Sequence, residues 1–161
     1  MKGTFDMEDN KDRAVLTAFY KVAWDLDNTA VKLAAQYGLT HSQFHVLLVL
    51  RRFDRLTIGE IRDLTYSSNG TMTVIVNNLE KLRLILRTKD PQDHRRSIIA
   101  LTEKGKELAE RLESENEKLI AERFAVWTGK EKQALAKLLR TYSDRHFSYI
   151  KEKESQCPKS N

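Results

Sequence analysis

Asp93 and Arg95 lie two residues apart in DPQDHRRS, a polar stretch between two short runs of β-forming side chains, ILRTK and SIIAL. A carboxylate at that spacing can hold a guanidinium in one orientation. An arginine held at the tip of a hairpin suits the narrow, strongly negative minor groove of a duplex. Upstream, SSNGTMTVIVNNLEKL has helical periodicity, with Met72, Ile75, Val76, Leu79 and Leu82 on one side. The other side carries Thr71, Thr73, Val74, Asn77, Asn78 and Lys81. Its N-terminal half is small, polar and uncharged, where a merely solvated face carries Glu and Lys. Hydroxyl, amide and methyl groups of this kind meet base edges in a major groove, and a helix N-terminus favours phosphate. Ser68 and Asn69 supply the turn and N-cap. Arg87, His94 and Arg96 extend the basic surface of the hairpin, so the expected partner is double-stranded DNA.

Other chemistries find less support. No nucleophile has an adjacent base, no Gly-rich loop could cradle phosphate, and no carboxylate pair marks a pocket, so an enzyme is not expected. His41 and His45 are four apart, a spacing two zinc ligands can use. They have no Cys and no third ligand close by in sequence, so surface and core packing is the reading and no metal or cofactor is expected. A metal-responsive regulator of the same fold stands as an alternative. Cys157, the single cysteine, can form neither an intrachain disulfide nor a zinc cluster. Tyr20, Trp24, Tyr37, Phe44 and His45 are the candidates for an aromatic-lined effector pocket.

These residues need elements to place them. From about Asn10 to Tyr37, Leu16, Phe19, Val22, Ala23, Leu26, Ala30, Leu33 and Ala34 recur at three and four, giving a helix with one apolar stripe that Gly38 stops. Thr40 to Gln43 is a capping box opening the densely apolar FHVLLVLRRF. Arg51, Arg52 and Arg55 at its end suit the helix dipole. Thr57 to Glu60 is a second capping box, and the short helix it starts ends near Leu64 to Tyr66. Leu56 offers a strand residue to the hairpin. The next helix is expected from about Ser68 to Leu84, then Ile85–Lys89 and Ser97–Leu101 as strands. A long charged helix follows from Thr102 to about Trp127. A third box, Thr128 to Glu131, opens the last helix. Helix–turn–helix followed by a hairpin is a mainly α fold with a small β wing, a plan that presents one helix and one hairpin to DNA. The thin apolar stripes on the flanking helices point to helix-to-helix seams, within the chain or between two chains.

With 161 residues, 40% hydrophobic and 32% charged, the chain suits one buried core. No apolar run approaches the roughly 20 residues a bilayer requires, and MKGTFDMEDNKDR lacks a signal-peptide core. No membrane partner and a cytoplasmic location are expected. The net charge of +5 favours an anionic partner. Between Arg83 and Arg96 there are five Lys or Arg against two Asp, concentrated around the hairpin.

Taken together, LTHSQFHVLLVL, LTIGEI, SSNGTMTVIVNNLEKL and DPQDHRRSIIALTEKGKEL resemble the MarR family of bacterial winged-helix regulators, over roughly Leu39 to Leu108. The most specific part is Asp93, Arg95, Leu101, Thr102 and Gly105. The resemblance implies a single domain over 10–152, with a winged helix–turn–helix lobe at 39–104 and a helical dimerisation lobe at 10–37 and 105–152. Residues 1–9 and 153–161 would be disordered tails. It further implies a homodimer, most often a repressor, bound to a pseudo-palindromic operator and released by a small effector, with Arg95 in the minor groove steadied by Asp93. A winged-helix adaptor between proteins, without DNA binding, is the alternative from another class. Two positions depart from the family pattern. Arg83 stands where Gly is usual, and His94 follows Asp93 where Arg is common, which would lower wing affinity slightly or make it depend on pH.

Overall fold

The computed structural model describes residues 11–65, 68–91, 93 and 95–156, without the side chains of Asn69 and residues 145–156. In chain order the elements are α1 (Lys11–Gln36), α2 (His41–Phe53), β1 (Arg55–Thr57), α3 (Ile58–Thr65), α4 (Asn69–Lys81), β2 (Ile85–Lys89), β3 (Ser97–Leu101), α5 (Glu103–Arg123), a 3-10 turn (Phe124–Val126) and α6 (Gly129–Gln156). The chain divides into two compact units between Ile120 and Ala121. The first holds α1 to β3 and most of α5. The second holds the 3-10 turn and α6. The last helix runs four residues beyond residue 152, where the helical lobe was expected to end. Residues 1–9, His94 and Cys157 lie outside the described residues.

The first unit is built around α2. Phe44, Val46, Leu47 and Leu50 are each completely buried, which is why FHVLLVL carries almost no charge. Around them pack Ala30, Leu33 and Ala34 of α1, Ile61 of α3, Met72, Val76 and Leu79 of α4, and Ala109 and Leu112 of α5. The three strands form one antiparallel sheet in the order β1-β3-β2. Leu56 pairs with Ile99, as its position ahead of the Thr57 box suggested, and Ile85 to Lys89 run against Leu101 to Ser97. Ile85, Ile99 and Leu101 share the buried face of this ladder.

All three capping boxes form. Thr40 N–H donates to Gln43 Oε1 at 2.8 Å while Gln43 N–H donates to Thr40 Oγ1 at 3.3 Å. The Thr57–Glu60 and Thr128–Glu131 pairs repeat the exchange, each with the threonine N–H 2.7 Å from the carboxylate. Such a cap contributes about 1 kcal/mol. The backbone N–H on each carboxylate holds Glu60 and Glu131 below the usual carboxylate pKa.

Two helix ends differ from expectation. Instead of reaching Leu84, α4 stops at Lys81, because Arg83 takes the left-handed conformation (φ 58°). Leu84 N–H then donates to Leu79 O at 3.0 Å and Arg83 N–H to Glu80 O at 2.9 Å, the paired bonds of a Schellman motif. Arginine here performs the role a glycine usually has. The helix expected to continue to Trp127 ends at Arg123, where the chain tightens into the 3-10 turn and Phe124 packs on Trp127 with ring centroids 5.3 Å apart.

The end of α4 is joined to the start of α5 by a compact set of bonds. Thr102 donates its N–H to Leu84 O at 3.1 Å and its hydroxyl to Arg83 O at 2.8 Å. The same hydroxyl accepts Gly105 N–H at 3.0 Å, capping α5. A Cβ on Gly105 would lie 1.9 Å from Leu84 O, so only glycine permits this approach.

Candidate nucleic-acid interface

Ser68 opens α4 with its side chain accepting from Thr71 N–H at 3.4 Å, and its hydroxyl lies 2.8 Å from the Thr71 hydroxyl. With Met72, Ile75, Val76 and Leu79 turned into the core, helical periodicity leaves Thr71, Thr73, Val74, Asn77, Asn78 and Lys81 outside, and all six are exposed. Val74 is 58% exposed and suits contact with a base methyl. Asn69 begins the helix, but its side chain lies outside the described residues.

The wing tip is organised by Asp93. Its Oδ1 accepts the Arg95 backbone N–H at 3.1 Å and the Arg95 Nε–H at 3.2 Å. Arg96 Nε lies 3.6 Å from the other oxygen, and Arg96 N–H donates to Asp93 O at 2.8 Å. Arg95 is thus tethered near its root while its side chain is 93% exposed. An ion pair this exposed adds little stability. Its effect is on the orientation of the guanidinium.

Arg87 does not join this surface in the way the sequence suggested. Strand parity sets it on the same face as buried Ile85, opposite Ile99. The side chain is only 29% exposed. Its Nη2 donates to Asn77 Oδ1 at 2.7 Å and lies 3.4 Å from Glu80 Oε2. Glu80 was not singled out in the sequence. The period of two in ILRTK is the signal that points Arg87 inward, towards the flank of α4.

The five effector candidates occupy different settings. Phe44 is wholly buried core. Tyr20 and Trp24 stand 65% and 71% exposed on α1. Tyr37 donates its hydroxyl to Glu115 on α5 at 2.6 Å, and that bond raises its pKa. His45 packs edge-on against Phe44, and its Nε2 lies 2.8 Å from His41 Nε2, which in turn is 3.1 Å from Asp27 Oδ1. Protein packed around the His45 ring, and then His41 beside it, lower its pKa, although one side remains open to solvent. Among the described residues, no group of three or more His, Cys, Asp or Glu is placed to hold a metal ion. A shallow groove does open along α5, lined by Glu107, Glu110, Arg111, Ser114, Glu115 and Lys118. Arg51, read from sequence as a dipole partner, reaches Glu113 and Glu110 of α5 at 3.6 and 3.9 Å.

A helix whose exposed N-terminal half is small and uncharged, followed by a wing with an oriented arginine, is the winged-helix plan that presents one helix and one hairpin to DNA. Residues 37–96 match the family model described as the MarR family. The HTH-type transcriptional regulator SarZ of Staphylococcus epidermidis is 28% identical over 135 residues, spanning 84% of this chain and 90% of SarZ. The crystal structure of the Staphylococcus aureus MepR–DNA complex superposes with a TM-score of 0.69 at 27% identity, over 80% of this chain and 95% of that one. AbsC, a MarR family regulator from Streptomyces coelicolor, shares the fold with a TM-score of 0.77 at 18% identity, over 86% and 96% of the two chains. Over residues 37–96 the chain thus matches the MarR family, and its relatives across 84% of its length are transcriptional regulators. Among the described residues no helix is long and apolar enough to cross a membrane.

Proposed function

We propose that the chain acts in the cytoplasm as a homodimeric repressor on a double-stranded, pseudo-palindromic operator. The observation that carries this reading is the wing tip, where Asp93 holds Arg95 through both its N–H and its Nε–H, following a helix α4 whose exposed N-terminal half is uncharged. Arg95 enters the minor groove. Ser68, Asn69, Thr71, Thr73, Val74, Asn78 and Lys81 meet bases or phosphates in the major groove, and Arg96 and His94 add phosphate contacts. The solved MepR–DNA complex is a relative in which this fold engages DNA. The helical lobe, 10–37 and 105–152, pairs two subunits and sets the distance between their α4 helices. Half-sites about one helical turn apart require that distance to be right. A small effector, aromatic in character, that shifts it releases the DNA.

A mobility-shift titration on DNA from the chain's own promoter region tests the reading. Binding is expected to prefer that DNA over random sequence and to weaken steeply as salt rises, because several phosphates per subunit are neutralised. Arg95→Ala is expected to lower affinity at least about tenfold. Its melting temperature should be unchanged, since exposed substitutions alter stability by about 0.5 kcal/mol or less. Equal affinity for promoter and random DNA would overturn the proposal.

A further inference from the structure

The contact between Arg87 and Asn77 constrains what α4 can read. An asparagine free in a major groove offers both an acceptor and a donor, and its best partner is adenine, through N6 and N7 together. Asn77 is not free in that sense. Its Oδ1 lies 2.7 Å from Arg87 Nη2. A guanidinium has only donors, so the amide must turn its oxygen to the arginine, and the flipped orientation would set donor against donor. Arg87 is itself restrained. Glu80 Oε2 lies 3.4 Å from the same Nη2, and the side chain is largely enclosed by the sheet and α4. Its Nε is buried with no hydrogen-bond partner among the described residues, so the head is fixed through its terminal nitrogens. Asn77 nevertheless remains exposed on the outer face of the helix.

We infer that Arg87 is a specificity-determining positioning residue, which orients the exposed Asn77 amide so that α4 presents a donor, Nδ2, and thereby selects guanine over adenine at one operator position. Guanine offers two acceptors there, O6 and N7. Adenine offers N7 alone to a donor, and its N6 amine is left without the carbonyl it needs. Cytosine presents only a donor and is disfavoured. Arg87 touches no base in this arrangement and acts through Asn77.

The inference rests on the DNA-binding reading, and selection from a randomised operator library separates the two. Wild-type protein is expected to enrich guanine at one position per half-site. Asn77→Ala should lose preference at that position alone, which identifies it. Arg87→Met removes the donor, and the relative affinity for adenine over guanine should rise by about tenfold there, the size of one good base contact. Asn77→Asp keeps the Arg87 partner and replaces the outward donor with an acceptor, so enrichment should move to cytosine. This second variant leaves the α4–β2 packing intact and keeps the test valid if Arg87→Met unfolds. Wild-type protein that binds the operator but enriches adenine at the Asn77 position, or an Arg87→Met variant with wild-type preference, would overturn the inference while leaving the regulator standing. A wild type that enriches no sequence would overturn both.

Discussion

At the residue scale, two positions between α4 and α5 carry opposite kinds of backbone demand. Gly105 sits where a Cβ would be 1.9 Å from Leu84 O, a backbone atom that cannot swing aside. Gly105→Ala is therefore expected to destabilise by about 3 kcal/mol, read as a lower midpoint in urea denaturation. Arg83 adopts a left-handed φ of 58°, a conformation that costs about 1 kcal/mol for a residue with a Cβ. Arg83→Gly is expected to raise stability by about 0.5 kcal/mol, since glycine's extra unfolded-state freedom cancels part of the gain. A lower midpoint for Arg83→Gly would mean that the arginine side chain stabilises that turn. Residues with local partners were legible in the sequence. Asp93 and Arg95 are two apart, so their pairing needs no knowledge of the fold, and Gly105 stood out as part of a pattern. The direction of Arg87 is not legible in the same way, because it depends on which face of β2 meets the core. Glu80 was missed because its partner comes from another element.

At the element scale, the sequence placed the three capping boxes and both wing strands correctly, because caps and β-forming runs are written within a few residues. It misplaced the ends of α4 and α5, where termination depends on a non-glycine left-handed residue and on a tightened turn. The sequence shows His41 and His45 as a pair on one helix, without a partner from α1. Asp27 of α1 completes it, 3.1 Å from His41 Nε2. Burial, and then the neighbouring His41, lower the His45 pKa, while Asp27 works in the opposite direction. A depressed folded-state pKa means the unfolded chain binds the proton more readily. The stabilising contribution of neutral His45 is therefore complete above 6.5, the unfolded value, and is lost as pH falls through the folded one. The melting temperature is expected to fall on acidification from pH 7 to pH 5, and to fall less in His45→Gln, which keeps a hydrogen-bonding side chain but cannot take up a proton. Identical pH profiles for the two proteins would remove His45 as a source of acid sensitivity.

At the scale of the whole molecule, α1 poses the clearest question of packing. Its C-terminal end is core, with Ala34 fully buried and Leu33 at 2% exposure. Towards the N-terminus the same helix leaves Val15, Leu16, Phe19, Tyr20 and Trp24 between 52% and 71% exposed. The stripe read from the sequence is continuous, and periodicity alone could not divide the part covered by this chain from the part left over. Apolar surface of this extent on one helix is costly in water. In the homodimer proposed above, a second copy of the chain is its cover. Putting charge into the stripe separates dimerisation from folding, because Leu16 and Phe19 lie outside the buried cluster. The double variant Leu16→Glu, Phe19→Glu is expected to sediment as a monomer and to keep its helical circular dichroism. Its operator affinity should fall by about 100-fold or more, since each half-site must then be bound independently. Arg95→Ala should show the reverse pattern, a dimer that has lost DNA. A charged-stripe variant that still dimerises and binds with wild-type affinity would place the subunit contact elsewhere and leave the exposed end of α1 for a different partner.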